Sequence, residues 1–170
     1  MQFTFTNEYP LSRLDEIVNY LLGPRLWVPQ TDYPDFLDWV DKVHRELKKD
    51  NKRAMIAFQN KEIVGVTIYQ RHKLHADALE IKNLTVRPDK RGRYIASFLL
   101  RNSEIEGAKD FGSTRILCDA KAKNFSVKSF ILKNRYQIVG KENLYHKGGG
   151  EDLVFTKPAL PDLTINTLHY

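Results

Sequence analysis

The chain has 170 residues, 42% of them hydrophobic, enough for one domain whose core needs neither disulfides nor a structural metal. Cys118 is its single cysteine and cannot pair within the chain. No eighteen apolar residues run together, which excludes a disulfide framework and a membrane-spanning helix. The opening MQFTFTNEYPLSR has no basic start followed by an apolar run, so the expected setting is cytoplasmic and reducing. Lys and Arg number 27 against 21 Asp and Glu, a formal charge of +6 that favours anionic ligands such as phosphates, although mixed charge of this kind also suits a plain solvated surface.

A short alternating segment at Phe3 to Thr6 opens the chain. Leu11, Leu14, Ile17, Val18, Leu21 and Leu22 then recur at helical spacing up to Gly23-Pro24, a glycine stop followed by a helix breaker. The pattern predicts a second helix from about Pro34 to Lys49, with Phe36, Val40, Val43 and Leu47 in one stripe and Lys48-Lys49 at the end that the helix dipole prefers. Apolar runs at Ala54 to Phe58 and Ile63 to Tyr69 flank Gln59-Asn60-Lys61-Glu62 and predict a hairpin, in which Gly65 marks a bulge or a close backbone approach.

A third strand is expected at Leu79 to Val86, then a basic loop and a helix from about Ile95 to Phe111 that ends at Gly112. A strand at Arg115 to Asp119, a helix beginning near Asn124, and strands at Tyr136 to Val139 and Leu153 to Thr156 complete the order. A meander followed by two crossover helices predicts one α/β domain, a mixed sheet of about six to seven strands flanked by helices over residues 1–157, with a tail at 158–170.

Within the third strand, Leu79 and Ile81 alternate in one phase and Leu84 and Val86 in the other. Keeping all four on one face takes one extra residue, so a β-bulge is expected near Lys82-Asn83. A bulge turns a backbone N–H out of the ladder, where it can serve as an oxyanion donor; an ordinary edge bulge is the alternative. Next comes Val86-Arg87-Pro88-Asp89-Lys90-Arg91-Gly92-Arg93-Tyr94-Ile95-Ala96, a basic loop entering a helix. Unpaired N–H groups at a helix start, with Arg91 and Arg93 beside them, predict anion binding. Neither G-x-x-x-x-G-K-S/T nor G-x-G-x-x-G occurs, so the loop is not a nucleotide P-loop or a dinucleotide fingerprint.

Residues 86 to 100, V-R-P-D-K-R-G-R-Y-I-A-S-F-L-L, resemble the acyl-CoA loop of the GNAT N-acetyltransferase superfamily, usually V-x-P-x-x-R-G-x-G-I-G-x-x-L-L. The family pattern Q/R-x-x-G-x-G/A falls on Arg91 to Ala96, with Tyr94 standing where glycine is usual, so that the loop opens or Tyr94 meets the cofactor itself. The resemblance implies a GNAT-like fold that binds acetyl-CoA or another acyl-CoA and passes the acyl group directly to a primary amine, with no covalent enzyme intermediate and no metal. It implies that the N–H groups of Arg91, Gly92, Arg93, Tyr94, Ile95 and Ala96 hold the pyrophosphate, that Val86 pairs with the pantetheine arm like an added strand, and that Leu84 offers its N–H to the thioester oxygen. Asn124 matches an asparagine that touches the pantetheine end, and it also suits a plain N-cap. Ile131 occupies the position of the family's usual thiolate-protonating tyrosine, which leaves Tyr145 as a substitute acid.

Glu80, before the bulge, is where several family members keep a base for the incoming amine; a solvated pair with Lys82 is the alternative. His72 and His75 form H-x-x-H with no third ligand nearby and are expected to be solvated loop residues. Trp27 and Trp39 are expected to pack the two N-terminal helices, with Trp27 alternatively lining an acceptor pocket. The acceptor class stays open among a small amine, a protein amino group and an aminoacyl-tRNA, and assembly is compatible with a homodimer. Two rival readings are a non-catalytic acyl-CoA sensor, favoured by Ile131 and Tyr94, and a nucleic-acid binder, disfavoured because no aromatics interleave the basic residues.

Overall fold

In the computed structural model, residues 2–23, 32–144 and 150–159 are described. The elements in chain order are β1 (Thr4–Thr6), a 3-10 turn (Leu11–Arg13) running into α1 (Leu14–Leu21), α2 (Phe36–Lys48), β2 (Lys52–Gln59), β3 (Glu62–Arg71) and β4 (Ala78–Val86). After a 3-10 turn at Pro88–Lys90 come α3 (Ile95–Phe111), β5 (Arg115–Lys121), α4 (Phe125–Lys133), β6 (Gln137–Glu142) and β7 (Asp152–Pro158). The strands form one seven-stranded sheet in the order β1-β2-β3-β4-β5-β7-β6, parallel only at β4–β5.

Each face of the sheet buries its own cluster, as strand alternation requires. On one face Ile17 and Leu21 of α1 and Val40, Val43 and Leu47 of α2 pack on Ala54, Ile56, Val66 and Ile68. On the other, Ile95, Leu99 and Leu100 of α3 and Ile131 of α4 pack with Met55, Tyr69, Leu79, Ile81 and Val86. The β2–β3 hairpin turns through Asn60 (φ 51°) and Lys61 (φ 67°), two successive left-handed residues, which is the two-residue turn whose twist matches the strands.

Packing rather than capping holds α3 in place. Its N-cap residue, Tyr94, makes no side-chain cap hydrogen bond, whereas Ile95 and Leu99 are almost fully buried, each such side chain worth roughly 1.5–3 kcal/mol. The close approach expected at Gly65 is present: a Cβ there would lie 2.7 Å from Leu99 Cδ1 and 3.3 Å from the Thr85 carbonyl oxygen. Gly107 does the same further along α3, where a Cβ would meet both Leu79 methyls at 2.7 Å. Buried Glu104 of α3 accepts from the Tyr136 hydroxyl at 2.8 Å and from Lys157 Nζ at 2.7 Å, tying the helix to β7 and to the residue that leads into β6.

Most boundaries differ from the sequence reading by a residue or two, and three of the differences have a local cause. The first helix starts as a 3-10 turn and becomes α-helical only at Leu14. β6 continues to Glu142, because pairing of Lys141 with Leu153 and Glu142 with Asp152 carries charged residues that do not read as strand. β7 continues to Pro158 opposite Arg115, and Ala159 N–H donates to the Thr114 carbonyl at 2.9 Å, so a domain boundary after 157 falls inside the strand.

Candidate functional site

The bulge sits where the sequence places it. Tyr69 pairs with Ile81 and Ile68 with Asn83, leaving Lys82 as the extra residue. The phase change follows: Leu79, Ile81, Leu84 and Val86 all belong to the α3 face. Glu80 and Asn83 share the opposite face with their cross-strand partners Gln70 and Ile68.

The bulge also ends the parallel pairing. β4 and β5 are matched only from Ala78–Arg115 to Ile81–Cys118, after which the two strands continue unpaired and open a gap in the middle of the sheet. Antiparallel ladders alternate between residues that bond across and residues that face away. Arg87 N–H donates to the Val64 carbonyl at 2.9 Å, so by register Thr85 and Asn83 also bond to β3. Leu84 and Val86 therefore direct their N–H and C=O groups into the gap. The Val86 carbonyl is already met by Arg91 Nε at 3.0 Å, so an extended ligand would find the N–H, not the carbonyl, of Val86 available.

At one mouth of the gap lies the basic loop. Arg87 is bidentate to Asp89 at 2.7 Å, which with Lys90 holds the Asp89 carboxyl far below its ordinary range, and Arg87 also reaches Glu62 at 3.0 Å, so that the loop's base is braced on both sides. Gly92 (φ 75°) and Tyr94 (φ 61°) take left-handed conformations before α3 begins. The glycine is needed there for its backbone, since a Cβ at Gly92 would meet nothing within 4 Å. Phe98 N–H donates to the Tyr94 carbonyl at 3.0 Å, which leaves the N–H groups of Ile95, Ala96 and Ser97 directed out of the helix start. The first turn contains no acidic residue, and Arg91 and Arg93 precede it. This donor set suits a pyrophosphate.

A cleft of about 750 Å³ follows the gap through the sheet. Of the residues singled out from sequence for the cofactor, Leu84, Val86, Arg91, Ala96 and Asn124 line it. Gly92, Arg93 and Tyr94 form the exposed loop beside it, and the Ile95 side chain is buried under α3. Asn124 caps α4 through its Oδ1, which accepts from Val127 N–H at 3.2 Å, so the capping and lining roles coexist. Ile131 is buried at the cleft wall. Cys118 lies in the gap, but burial, with Asp119 and Glu104 adding to it, drives its thiol far above the ordinary value and keeps it neutral.

Glu80 is not at this wall. It accepts from Gln70 Nε2 at 2.6 Å and Lys82 Nζ at 3.0 Å, and Gln70 in turn accepts from Lys52. Burial alone would raise the Glu80 pKa, yet the Lys82 charge and the two hydrogen bonds outweigh it and hold the carboxyl below the ordinary value. His72 Nδ1 accepts from the N–H groups of Leu74 and His75 at 3.1 Å, a turn-forming arrangement. Among the described residues no three metal-ligating side chains come together. Tyr145 and Trp27 lie outside the described residues. Trp39 does not simply pack helix on helix: it stacks on Phe36, ring centroids 5.8 Å apart, and lines the other mouth of the cleft.

That mouth was not legible in the sequence. Tyr33, Phe36 and Trp39 form an aromatic wall beside Asn83 and Asp119. Burial, together with Asp119, Asp152 and Asp32, pushes the Tyr33 hydroxyl up to about 12, so it stays protonated at neutral pH. Asn83 could have been found, since the alternation that reveals the bulge also assigns it to the face opposite Leu84.

A mixed sheet split beyond a bulge, with the outward N–H groups of a helix start on one side of the split and an aromatic mouth on the other, is the frame of the site. The sequence profile of the acetyltransferase (GNAT) family matches residues 14–134, and the chain belongs to that family. No curated protein sequence matches it. Among solved structures, an N-acetyltransferase from Staphylococcus aureus Mu50 superposes with a TM-score of 0.73 at 16% identity, over 94% of this chain and 100% of that one. The PaiA N-acetyltransferase from Thermoplasma acidophilum, in complex with coenzyme A, gives 0.66 at 14% identity over 93% and 99%. The ribosomal-protein-S18-alanine N-acetyltransferase from Escherichia coli gives 0.69 at 13% identity over 99% and 100%.

Proposed function

We propose that this GNAT acetyltransferase moves an acetyl group from acetyl-CoA to a primary amine within one ternary complex. The observation that carries the reading is the opening between β4 and β5, into which Leu84 directs its N–H, with cationic helix-start donors at one mouth and the aromatic wall at the other. The neighbour solved with coenzyme A supports a CoA thioester as donor.

The donor's pyrophosphate rests on the N–H groups of Gly92 to Ala96 with the Arg91 and Arg93 side chains alongside, whereas the Arg91 N–H, expected from sequence to join them, is taken by the Pro88 carbonyl at 3.3 Å; the pantetheine arm lies in the gap beside Val86 and Asn124. The amine nitrogen attacks the thioester carbonyl carbon and the C–N bond forms. Charge develops on the carbonyl oxygen, which the Leu84 N–H stabilises. The C–S bond then breaks and the electron pair leaves on the CoA sulfur. A thiol with a pKa of about 8.5 is a better leaving group than an amine of about 10.4, so departure proceeds without the tyrosine that Ile131 replaces, aided by Tyr145 or water. The amine's proton passes to Glu80 through water, because both Glu80 oxygens are engaged and the residue stands back from the cleft. Neutral Cys118 is no nucleophile at ordinary pH, which supports direct transfer over an acyl-enzyme.

Thiol release from acetyl-CoA against a panel of amines, peptides and aminoacyl-tRNA tests the reading. Amine-dependent release is expected. Acetyl-CoA binding with no release for any acceptor would replace it with the sensor reading, which Ile131 favours.

A further inference from the structure

Beside the aromatic mouth stands a ridge of lysines drawn from four parts of the chain. Lys82, the extra residue of the bulge, lines the cleft and reaches Glu80 at 3.0 Å, and Lys52, at the start of β2, is buried with its ammonium on Gln70. Outside them lie two exposed lysines, Lys42 on α2, in the turn after Trp39, and Lys73 between β3 and β4. The Lys42 and Lys73 ammonium groups stand within hydrogen-bonding reach of one another, and the Lys73 charge lowers the Lys42 pKa. An ammonium has no lone pair to accept with, so this approach is repulsive. Neither lysine forms an ion pair among the described residues, and Glu46, one turn further along α2, acts on Lys42 only from a distance. The ridge sets four lysines against two carboxylates: Glu80, whose oxygens are taken by Gln70 and Lys82, and Glu46, which accepts from Asn51 at 3.0 Å. On the far side of the mouth the charges are matched, since Asp152 meets Lys121 at 3.1 Å, Asp32 meets Lys123 at 2.5 Å, and Asp35 and Asp119 are each engaged. An unbalanced positive ridge at the edge of a cleft sorts what enters by its charge.

We propose that the acceptor is a polypeptide amino group flanked by acidic residues, whose carboxylates are held by the ridge of Lys42, Lys73 and Lys82. The inference rests on the acyl-transfer reading above and narrows its acceptor. An extended peptide advances about 3.3 Å per residue, so acidic residues beside the amine meet the ridge in succession, from Lys82 at the cleft wall outward to Lys42 and Lys73. Ammonium groups on flexible stems suit carboxylates whose positions vary from one acceptor to the next, where the fixed fork of arginine would demand one geometry. The compactness of the ridge favours a peptide over a nucleic-acid strand, which binds along an extended positive groove. The same positive field disfavours the ammonium form of the incoming amine and so raises the share of the neutral nucleophile. Polycationic amines are repelled.

The test uses the full-length protein, acetyl-CoA and three peptide amides of equal length, Ala-Glu-Glu-Gly, Ala-Gln-Gln-Gly and Ala-Lys-Lys-Gly, with thiol release read across peptide concentration and salt. The acetyl-CoA melting shift, read in parallel, reports the fold and the donor site. The acidic peptide is expected to have a KM about tenfold below the neutral one, and the basic peptide a KM above it. The acidic advantage is expected to shrink as salt rises from about 0.05 M to about 0.5 M. In Lys42→Glu/Lys73→Glu the order is expected to reverse, whereas lysines that served only the fold would move all three KM values together. KM values indifferent to peptide charge in the wild type, beside normal turnover, overturn the ridge assignment and leave the transfer reading intact. An acidic advantage that survives the charge reversal overturns it as well. Aminoacyl-tRNA used better than every peptide would give the ridge to phosphates and overturn the peptide assignment. Absence of thiol release with every acceptor in the wild type, despite a normal acetyl-CoA melting shift, overturns both readings.

Discussion

Lys52 carries its ammonium into the α2 face of the sheet, where 3% of the residue is exposed and its Nζ donates to Gln70. Burial, with the charges of Lys82, Lys42 and Lys73 against the single opposing carboxylate of Glu80, brings its pKa down from 10.5 to about 8. At about 1.4 kcal/mol per pKa unit the full displacement corresponds to about 3 kcal/mol, and solvent screening at the ammonium reduces it to about 2 kcal/mol. The sign follows from the lowered value. Below pH 8 the group is charged in both states and the fold bears the whole penalty; as the pH rises from 8 to 10.5 the folded form sheds its proton first and stability returns. Lys52→Met removes the titration but also deprives Gln70 of a donor, a loss that is the same at every pH. Urea unfolding of both proteins at pH 7 and pH 10 isolates the electrostatic part. Relative to the variant, the wild type is expected to gain about 2 kcal/mol between the two pH values, or about 4–8 °C in Tm for a domain of this size. A difference independent of pH would refute the account and show the ammonium to be solvated.

Gly65→Ala is expected to destabilise by about 1–3 kcal/mol, since its Cβ would press on buried Leu99 and on the Thr85 carbonyl, and melting curves read this directly. Because the displaced Leu99 belongs to α3, whose start carries the proposed donor site, the acetyl-CoA melting shift should shrink in the same variant. Ile131→Tyr is expected to turn over faster than wild type or equally fast, since an added acid contributes up to about a hundredfold or more only when thiolate departure limits the rate. Glu80→Gln is expected to lower turnover most at low pH, where the amine most needs a base; activity unchanged across pH would leave Glu80 as a structural ion pair. Glu80 also titrates below its ordinary 4.5 in the fold, so its share of stability is complete above that pH and lost as the pH falls further. The stability gap to Glu80→Gln should close in acid.

The elements with strong periodicity were legible because each has one buried face: the stripe of α2, the β2–β3 hairpin and the phase change in β4 all follow from burial alone. The basic turn was legible because a helix start without acidic residues is visible as sequence. The aromatic mouth was hidden for a physical reason. Phe36 reads as part of a helix stripe and Trp39 as packing between helices, Tyr33 carries no signal of its own, and only the gap beyond Ile81 and Cys118, a consequence of pairing between strands far apart in the chain, turns that surface into a wall. Glu80 shows the converse. Its place before the bulge is legible, but cross-strand Gln70 and neighbouring Lys82, which occupy its oxygens, depend on register.

The central claim is that the α3 start and its two arginines hold the donor's pyrophosphate, and the melting temperature with and without millimolar acetyl-CoA tests it most directly. A ligand that binds only the folded state stabilises it by about 2.7 kcal/mol at a hundredfold excess over its Kd, a rise of about 5–10 °C here. The account predicts such a rise in the wild type and its loss in Arg91→Ala/Arg93→Ala, with the unliganded double variant still folded. No rise in the wild type, or an equal rise in the double variant, would contradict it.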